Sequence, residues 1–139
     1  FRYFLIAKMA SIFTKIIQRE IPANILYENE NFISILDISP LTLGHSLVIP
    51  KVEVDYLFDL DDNYLNKIMT FSKVLSNALS KSVSCKRVGL TVIGLEVPHA
   101  HLHLIPFNNE REMSFSNERL RLSKNEFLEL QKKIVSNLN

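Results

Sequence analysis

Pro98-His99-Ala100-His101-Leu102-His103-Leu104-Ile105-Pro106 carries three of the chain's four histidines, each separated from the next by one small or aliphatic residue. In an extended chain successive side chains point to opposite faces, and residues two apart are about 6.8 Å from each other on the same face. His99, His101 and His103 are therefore expected on one face, with Ala100, Leu102 and Leu104 on the other. One face is chemical and the other is core. The alternation predicts a strand over Val97 to Ile105, and the β-prone run Val88 to Ile93 predicts another just before it.

Working outward, Ser46-Leu47-Val48-Ile49-Pro50 reads as a short apolar strand ended by its proline. Ile25-Leu26-Tyr27 and Phe32-Ile33-Ser34-Ile35-Leu36, separated by Asn29-Glu30-Asn31, read as a hairpin. Ser11 is an N-cap candidate for a short helix over Ile12 to Arg19, with Pro22 beyond it. Asp61 or Asp62 caps a long helix to about Ser82, its apolar stripe formed by Leu65, Ile68, Met69, Leu75 and Leu79. After an irregular polar stretch from Phe107 to Arg121, Ser123-Lys124-Asn125-Glu126 has the capping-box pattern. It opens a last helix with Phe127, Leu130, Ile134 and Leu138 on one face. Mixed helices and strands joined largely by turns predict an α+β domain with a mostly antiparallel sheet, one long central helix, and N- and C-terminal helices.

The chain has 139 residues, 47% hydrophobic and 22% charged, which fits one globular domain. Residues 1–8 read as an upstream extension and 9–139 as the domain. The apolar run Tyr3-Phe4-Leu5-Ile6-Ala7 is far shorter than the roughly 20 residues that span a bilayer, and no cleavage pattern follows it. Neither a membrane partner nor a secretory signal is expected. Sixteen Lys and Arg against fifteen Asp and Glu give a net charge of +1, too little to neutralise a run of phosphates, so nucleic acid is not an expected partner. The one cysteine, Cys85, excludes an internal disulfide framework and paired-cysteine zinc sites, and suits a reducing cytoplasm.

His45 lies in Gly44-His45-Ser46-Leu47-Val48-Ile49-Pro50, and all three glycines, Gly44, Gly89 and Gly94, fall in or just before the histidine blocks. A lone histidine is more often a hydrogen-bonded structural residue. Three on one strand face would repel each other if protonated, which makes the row a poor structural choice unless an anion or a metal binds there. Imidazoles two apart on a strand can hold zinc, although no carboxylate lies within the row and Cys85 is remote. The alternative is attack by a neutral imidazole on phosphorus, with flanking imidazoles donating to the phosphate oxygens.

His99-Ala100-His101-Leu102-His103-Leu104-Ile105 matches the His-φ-His-φ-His-φ-φ signature of the histidine triad (HIT) family, where φ is apolar. The chain also resembles the family in Ile12-Phe13-Thr14-Lys15-Ile16-Ile17 through Glu20-Ile21-Pro22-Ala23, in Leu36-Asp37-Ile38-Ser39-Pro40 and in Gly44 to Lys51, so the likeness runs from Ile12 to Pro106. The resemblance implies a nucleotide hydrolase or transferase of the nucleoside phosphoramidase type, working as a homodimer whose sheet continues across the pair. It implies that His101 attacks the α-phosphorus to give a nucleotidyl-histidine, that His99 and His103 orient and stabilise, and that His45 joins the catalytic set. Asp37 would hold the ribose, and Phe13, Ile16, Ile21, Ile35 and Ile38 would surround the base. No cofactor and no resident metal are expected.

One block departs from the family pattern. Val88-Gly89-Leu90-Thr91-Val92-Ile93-Gly94-Leu95-Glu96-Val97 is shorter than the usual glycine-rich phosphate loop, with Leu95 where glutamine is usual and Glu96 where a hydroxyl residue is usual. Glu96 is thus a further nucleotide-site candidate. Three functions follow as expectations: hydrolysis of purine nucleoside phosphoramidates, adenylates or related nucleotidyl compounds; nucleotide binding with little turnover; and a metallohydrolase using the histidines as ligands.

Overall fold

The computed structural model describes residues 10–139, so the reading of residues 1–8 lies outside the described part. Three helices and five strands follow one another as α1 (Ile12–Ile17), β1 (Ile25–Glu28), β2 (Phe32–Leu36), β3 (Ser46–Pro50), α2 (Asp62–Ser82), β4 (Arg87–Thr91), β5 (Leu102–Phe107) and α3 (Lys124–Ser136), with short 3-10 turns at Leu57–Asp59 and Glu110–Met113. The strands form one sheet in the order β1-β2-β3-β5-β4, and every neighbouring pair is antiparallel. The expected α+β class and helix arrangement are those found.

Local chemistry sets most boundaries. Asn29 Oδ1 accepts the backbone N–H groups of Asn31 and Phe32, which closes the β1–β2 hairpin. Asp61 Oδ1 accepts Tyr64 N–H to start α2, and Ser123 and Glu126 form the expected capping box on α3. Ser11 caps α1 through Thr14 N–H. The helix stops at Ile17, two residues short of Arg19, because Arg19 turns left-handed with φ of 65° and the chain leaves the helical path.

Two layers result. On one face of the sheet Leu26, Phe32, Leu36, Val48, Leu102 and Leu104 pack with Ile68, Phe71, Leu75 and Leu79 of α2 and Leu130 and Ile134 of α3. Met69 does not join this stripe and is 58% exposed, since one step along a helix turns a side chain by about 100° and Ile68 already faces the sheet. On the opposite face Ile33, Ile35, Leu47 and Ile49 pack with Phe13 and Ile16 of α1. His103 sits opposite Leu47 in the β3–β5 register and so belongs to this second face.

The strand expected from Val97 begins instead at Leu102. The backbone donors just before it are diverted: His99 N–H bonds the Val97 carbonyl at 2.8 Å, and Ala100 N–H bonds the Val54 carbonyl at 2.7 Å. Only His103 of the triad lies within β5. His99 and His101 occupy the segment leading into it, while Ala100 is buried with Leu102 and Leu104 in the helix-side core. The division into a histidine face and a core face therefore survives outside the ladder.

Candidate active site

The four imidazoles converge from two chain segments. Gly44, at φ of 92°, completes a turn that only a residue without Cβ adopts freely, closed by His45 N–H on the Thr42 carbonyl at 3.1 Å. His45 is thereby delivered beneath the sheet, and its neighbours fix its protons. Leu41 N–H donates to His45 Nδ1 at 2.9 Å, so the proton of the neutral ring is on Nε2. That Nε2–H faces His103 Nδ1 at 2.9 Å. His103 therefore accepts at Nδ1 and carries its own proton on Nε2.

The other two rings are fixed in the same way. A carbonyl can only accept, so His99 Nε2–H donates to the Pro50 carbonyl at 2.8 Å, and His99 Nδ1 receives Ser11 Oγ–H at 2.7 Å. His101 Nδ1–H donates to the His99 carbonyl at 2.8 Å. His101 Nε2 is left with its lone pair and no hydrogen-bond partner among the described residues. His45 and His99 are 0% exposed, whereas His101 and His103 each keep 7%, so in this conformation only the latter two can meet a ligand.

Burial is the leading reason that all four rings favour the neutral form: their pKa values fall below the ordinary 6.5, to about 3 for His45 and about 4 for His103, and less far for His99 and His101. The charges of neighbouring rings and of Arg119 add to the depression at His45 and His103. Asp37 borders this group, with Oδ2 3.5 Å from His45 Nε2 and Oδ1 accepting Ser39 N–H at 2.8 Å. Burial raises its pKa above the usual carboxylate value.

Phe13 of α1 meets His99 and His101 edge-on, at centroid distances of 5.8 and 4.9 Å. Ile16 and Ile35 are buried in the same cluster and Ile21 packs against it, whereas Ile38, next to Asp37, is outside that cluster and 76% exposed. Glu96 is an exposed residue whose charge acts on Asp37. Two further residues border the site. Phe115 lies edge-on to His103 at 4.8 Å, and Arg119 sits 5.3 Å over the Phe115 ring while donating to the Ser39 carbonyl at 2.8 Å. Their aromatic and basic side chains four apart in a polar stretch were the available sequence signal.

Asp37, His45 and His103 offer donor atoms within 4.8 Å of one another, a group that could hold a cation. To do so His45 would have to surrender its Nε2 proton and its bond to His103, because Leu41 N–H already occupies Nδ1. The resting hydrogen bonds favour an imidazole pair over a metal centre.

Residues 18–110, which include all four of these histidines, match the HIT domain family. The chain belongs to the HIT family. An uncharacterised HIT-like protein of Borreliella burgdorferi is 39% identical over 107 residues, which cover 71% of this chain and 77% of that protein. The adenosine 5'-monophosphoramidase of Saccharomyces cerevisiae is 37% identical over 103 residues, covering 73% of this chain and 65% of the yeast protein. Among solved structures, a HIT-like protein of Bartonella henselae described as involved in cell-cycle regulation superimposes with a TM-score of 0.80 at 28% identity, covering 95% and 99% of the two chains. A zinc-bound HIT family protein of Mycobacterium smegmatis gives 0.79 at 30% identity, covering 93% of each.

Proposed function

We propose that this HIT protein is a nucleotide hydrolase or transferase that cleaves at the α-phosphorus of purine nucleoside phosphoramidates, adenylates or related nucleotidyl compounds. The observation that carries the reading is the single uncommitted imidazole lone pair, at His101 Nε2. The adenosine 5'-monophosphoramidase among the relatives, and a 34%-identical adenylylsulfatase of Arabidopsis thaliana of which this chain covers 51%, support the substrate class.

In the first step the His101 Nε2 lone pair forms a bond to the α-phosphorus while the bond to the leaving group breaks. An amine departs with the electron pair and takes a proton from solvent, whereas a sulfate departs as an anion. Charge builds on the non-bridging oxygens, and His103 Nε2–H is the donor assigned to meet it. In the second step a water oxygen bonds to phosphorus, the P–N bond breaks, its electron pair returns to Nε2 and the water's proton goes to solvent. His45 serves by keeping His103 in the donating tautomer, and His99 by holding the Nδ1 proton of His101. Asp37 is the residue assigned to the ribose, and Phe13, Ile16, Ile21, Ile35 and Ile38 to the base.

The working unit is proposed to be a two-fold homodimer. Outer strand β4 and the loop after it expose Leu90, Val92 and Ile93, an apolar edge suited to continuing the sheet. No helix of the described residues is long and apolar enough to cross a membrane, and a reducing cytoplasm suits the lone Cys85. Turnover of an adenosine phosphoramidate with and without a chelator tests the assignment. Chelator-insensitive turnover supports it, binding without turnover makes the chain a nucleotide-binding protein, and loss on chelation makes it a metallohydrolase. A monomeric mass by light scattering at micromolar concentration would remove the dimer.

A further inference from the structure

The chain beyond β5 returns to the site. Leu120 N–H donates to the Pro40 carbonyl at 2.9 Å and Arg119 Nη1–H to the Ser39 carbonyl at 2.8 Å, which lays this stretch beside the segment that follows Asp37. Ser39 links the two side chains, since its own N–H is held by Asp37 Oδ1 at 2.8 Å. The guanidinium also rests 5.3 Å over the Phe115 ring, which meets His103 edge-on at 4.8 Å and His45 at 6.1 Å. Arg119 thus adjoins the residue assigned to the ribose and, through one ring, the imidazole assigned to the phosphate.

A guanidinium is always charged and carries five N–H donors. The half-buried Arg119 commits one to Ser39 and one to the Phe115 carbonyl at 3.4 Å. Both acceptors are neutral, so a neutral amide would serve them as well, and the charge itself has no structural partner. Among the described residues neither Glu118, its chain neighbour, nor Glu96, whose charge also acts on Asp37, forms an ion pair with it. The charge is nonetheless felt in the site: after burial it helps to lower the His45 and His103 pKa values, and it counters the burial-driven rise at Asp37. An open cavity of about 450 Å³ lies between Ile38-Ser39 and the chain from Glu118 to Leu122. Arg119 and Arg121 line it against the single carboxylate of Glu118, which leaves its walls net positive.

We propose that Arg119 is a specificity-determining residue that selects nucleotides bearing a second oxyanion, a phosphoryl or sulfuryl group besides the α-phosphate. This rests on the reading of the histidine site as a nucleotide site and names the charge that its substrate carries. The planar fork of the guanidinium suits two oxygens of such a group. The group has two sources. As the leaving group it stands beyond the α-phosphorus on the Phe115 side, and as an ester of the ribose it stands beside Asp37 on the Ser39 side.

Calorimetric binding of adenosine 5'-monophosphate, adenosine 5'-diphosphate and adenosine 3',5'-bisphosphate to the parent, Arg119→Gln and Arg119→Lys tests the proposal. The parent should bind at least one of the two doubly phosphorylated probes about tenfold more tightly than the monophosphate, the scale of one charge-assisted contact. Preference for the diphosphate assigns the oxyanion to the leaving group, and preference for the bisphosphate assigns it to the ribose. Arg119→Gln should bring the affinity ratio to within about twofold of unity, whereas Arg119→Lys, which keeps the charge, should retain most of it. Added salt should shrink the ratio in the parent and not in Arg119→Gln. Equal parent affinity for all three probes overturns the proposal, as does a preference that survives in Arg119→Gln. A loss common to all three probes that follows lost thermal stability also overturns it, because that is a merely structural role. If the probes bind with the expected preference but no nucleotide is turned over, the hydrolase reading fails while the selection by Arg119 stands. If none of the three binds, both fail.

Discussion

His45 Nε2–H points at His103 Nδ1 across 2.9 Å, and the direction of that bond is set from outside the pair by Leu41 N–H. Its consequence is a His103 that carries its own proton on Nε2. Replacing His45 by Ala leaves His103 free to move its proton to Nδ1, turning a donor toward the phosphate into an acceptor. The expected result is a fall in kcat of roughly 10²-fold, the scale for losing one donor to a developing oxyanion, with a changed His103 tautomer by nitrogen-15 spectroscopy.

His101→Ala or His101→Asn should abolish turnover while nucleotide affinity stays within about tenfold, because the covalent step is lost and binding is not. Equilibrium binding and steady-state rates measured on the same preparation check it. In the parent, rapid quenching should trap protein heavier by one nucleotidyl group. Normal turnover by a His101 variant would falsify the role given to this ring.

The depressed imidazole pKa values fix the sign of the pH dependence. In the unfolded chain these rings protonate near 6.5, while in the fold His45 and His103 do so only near 3 and 4. Below 6.5 the unfolded state therefore binds more protons, so stability is full above that pH and falls as pH drops toward 4. Thermal melts across pH 8 to 4 should show the decline beginning near 6.5 and shrinking in His45→Phe. Arg119 contributes to both depressions, so Arg119→Gln should move the midpoints of His45 and His103 upward in an NMR titration.

Glu96 stands exposed in the loop before the triad. A carboxyl there is solvated and is not placed as a buried proton donor to a leaving group. Glu96→Gln should leave the rates for amine and for good leaving groups in the same ratio, with an unchanged pH profile of kcat. Its measurable effect should be on Asp37, whose pKa is raised first by burial and then by the Glu96 charge, seen as a small downward shift in the Asp37 titration. A selective loss of rate for amine leaving groups would restore the donor role.

Signals of short range were legible in the chain. Ser11, Asp61 and Ser123 cap the helices that they were expected to cap, and Ser46–Pro50 is the strand its apolar run announced. Where periodicity competes with a distant partner it misleads: the alternation from Val97 reads as strand, yet Val54 and the Val97 turn capture the donors that a ladder would need. The segment Phe107 to Arg121 has no apolar period to mark Phe115 and Arg119, and their partners, His103 and Ser39, come from elsewhere in the chain.

By itself the sequence determined that three imidazoles alternate with core residues and that helix caps and apolar runs build an α+β layer behind them, because these depend on neighbours a few positions apart. Only the tertiary structure decided which nitrogen of each ring holds its proton. Ser11 reaches His99 across 88 positions, Pro50 reaches the same ring across 49, and His45 meets His103 across 58. No local period encodes such pairings. They exist only once the sheet has brought those segments together, and they leave His101 with the bare lone pair.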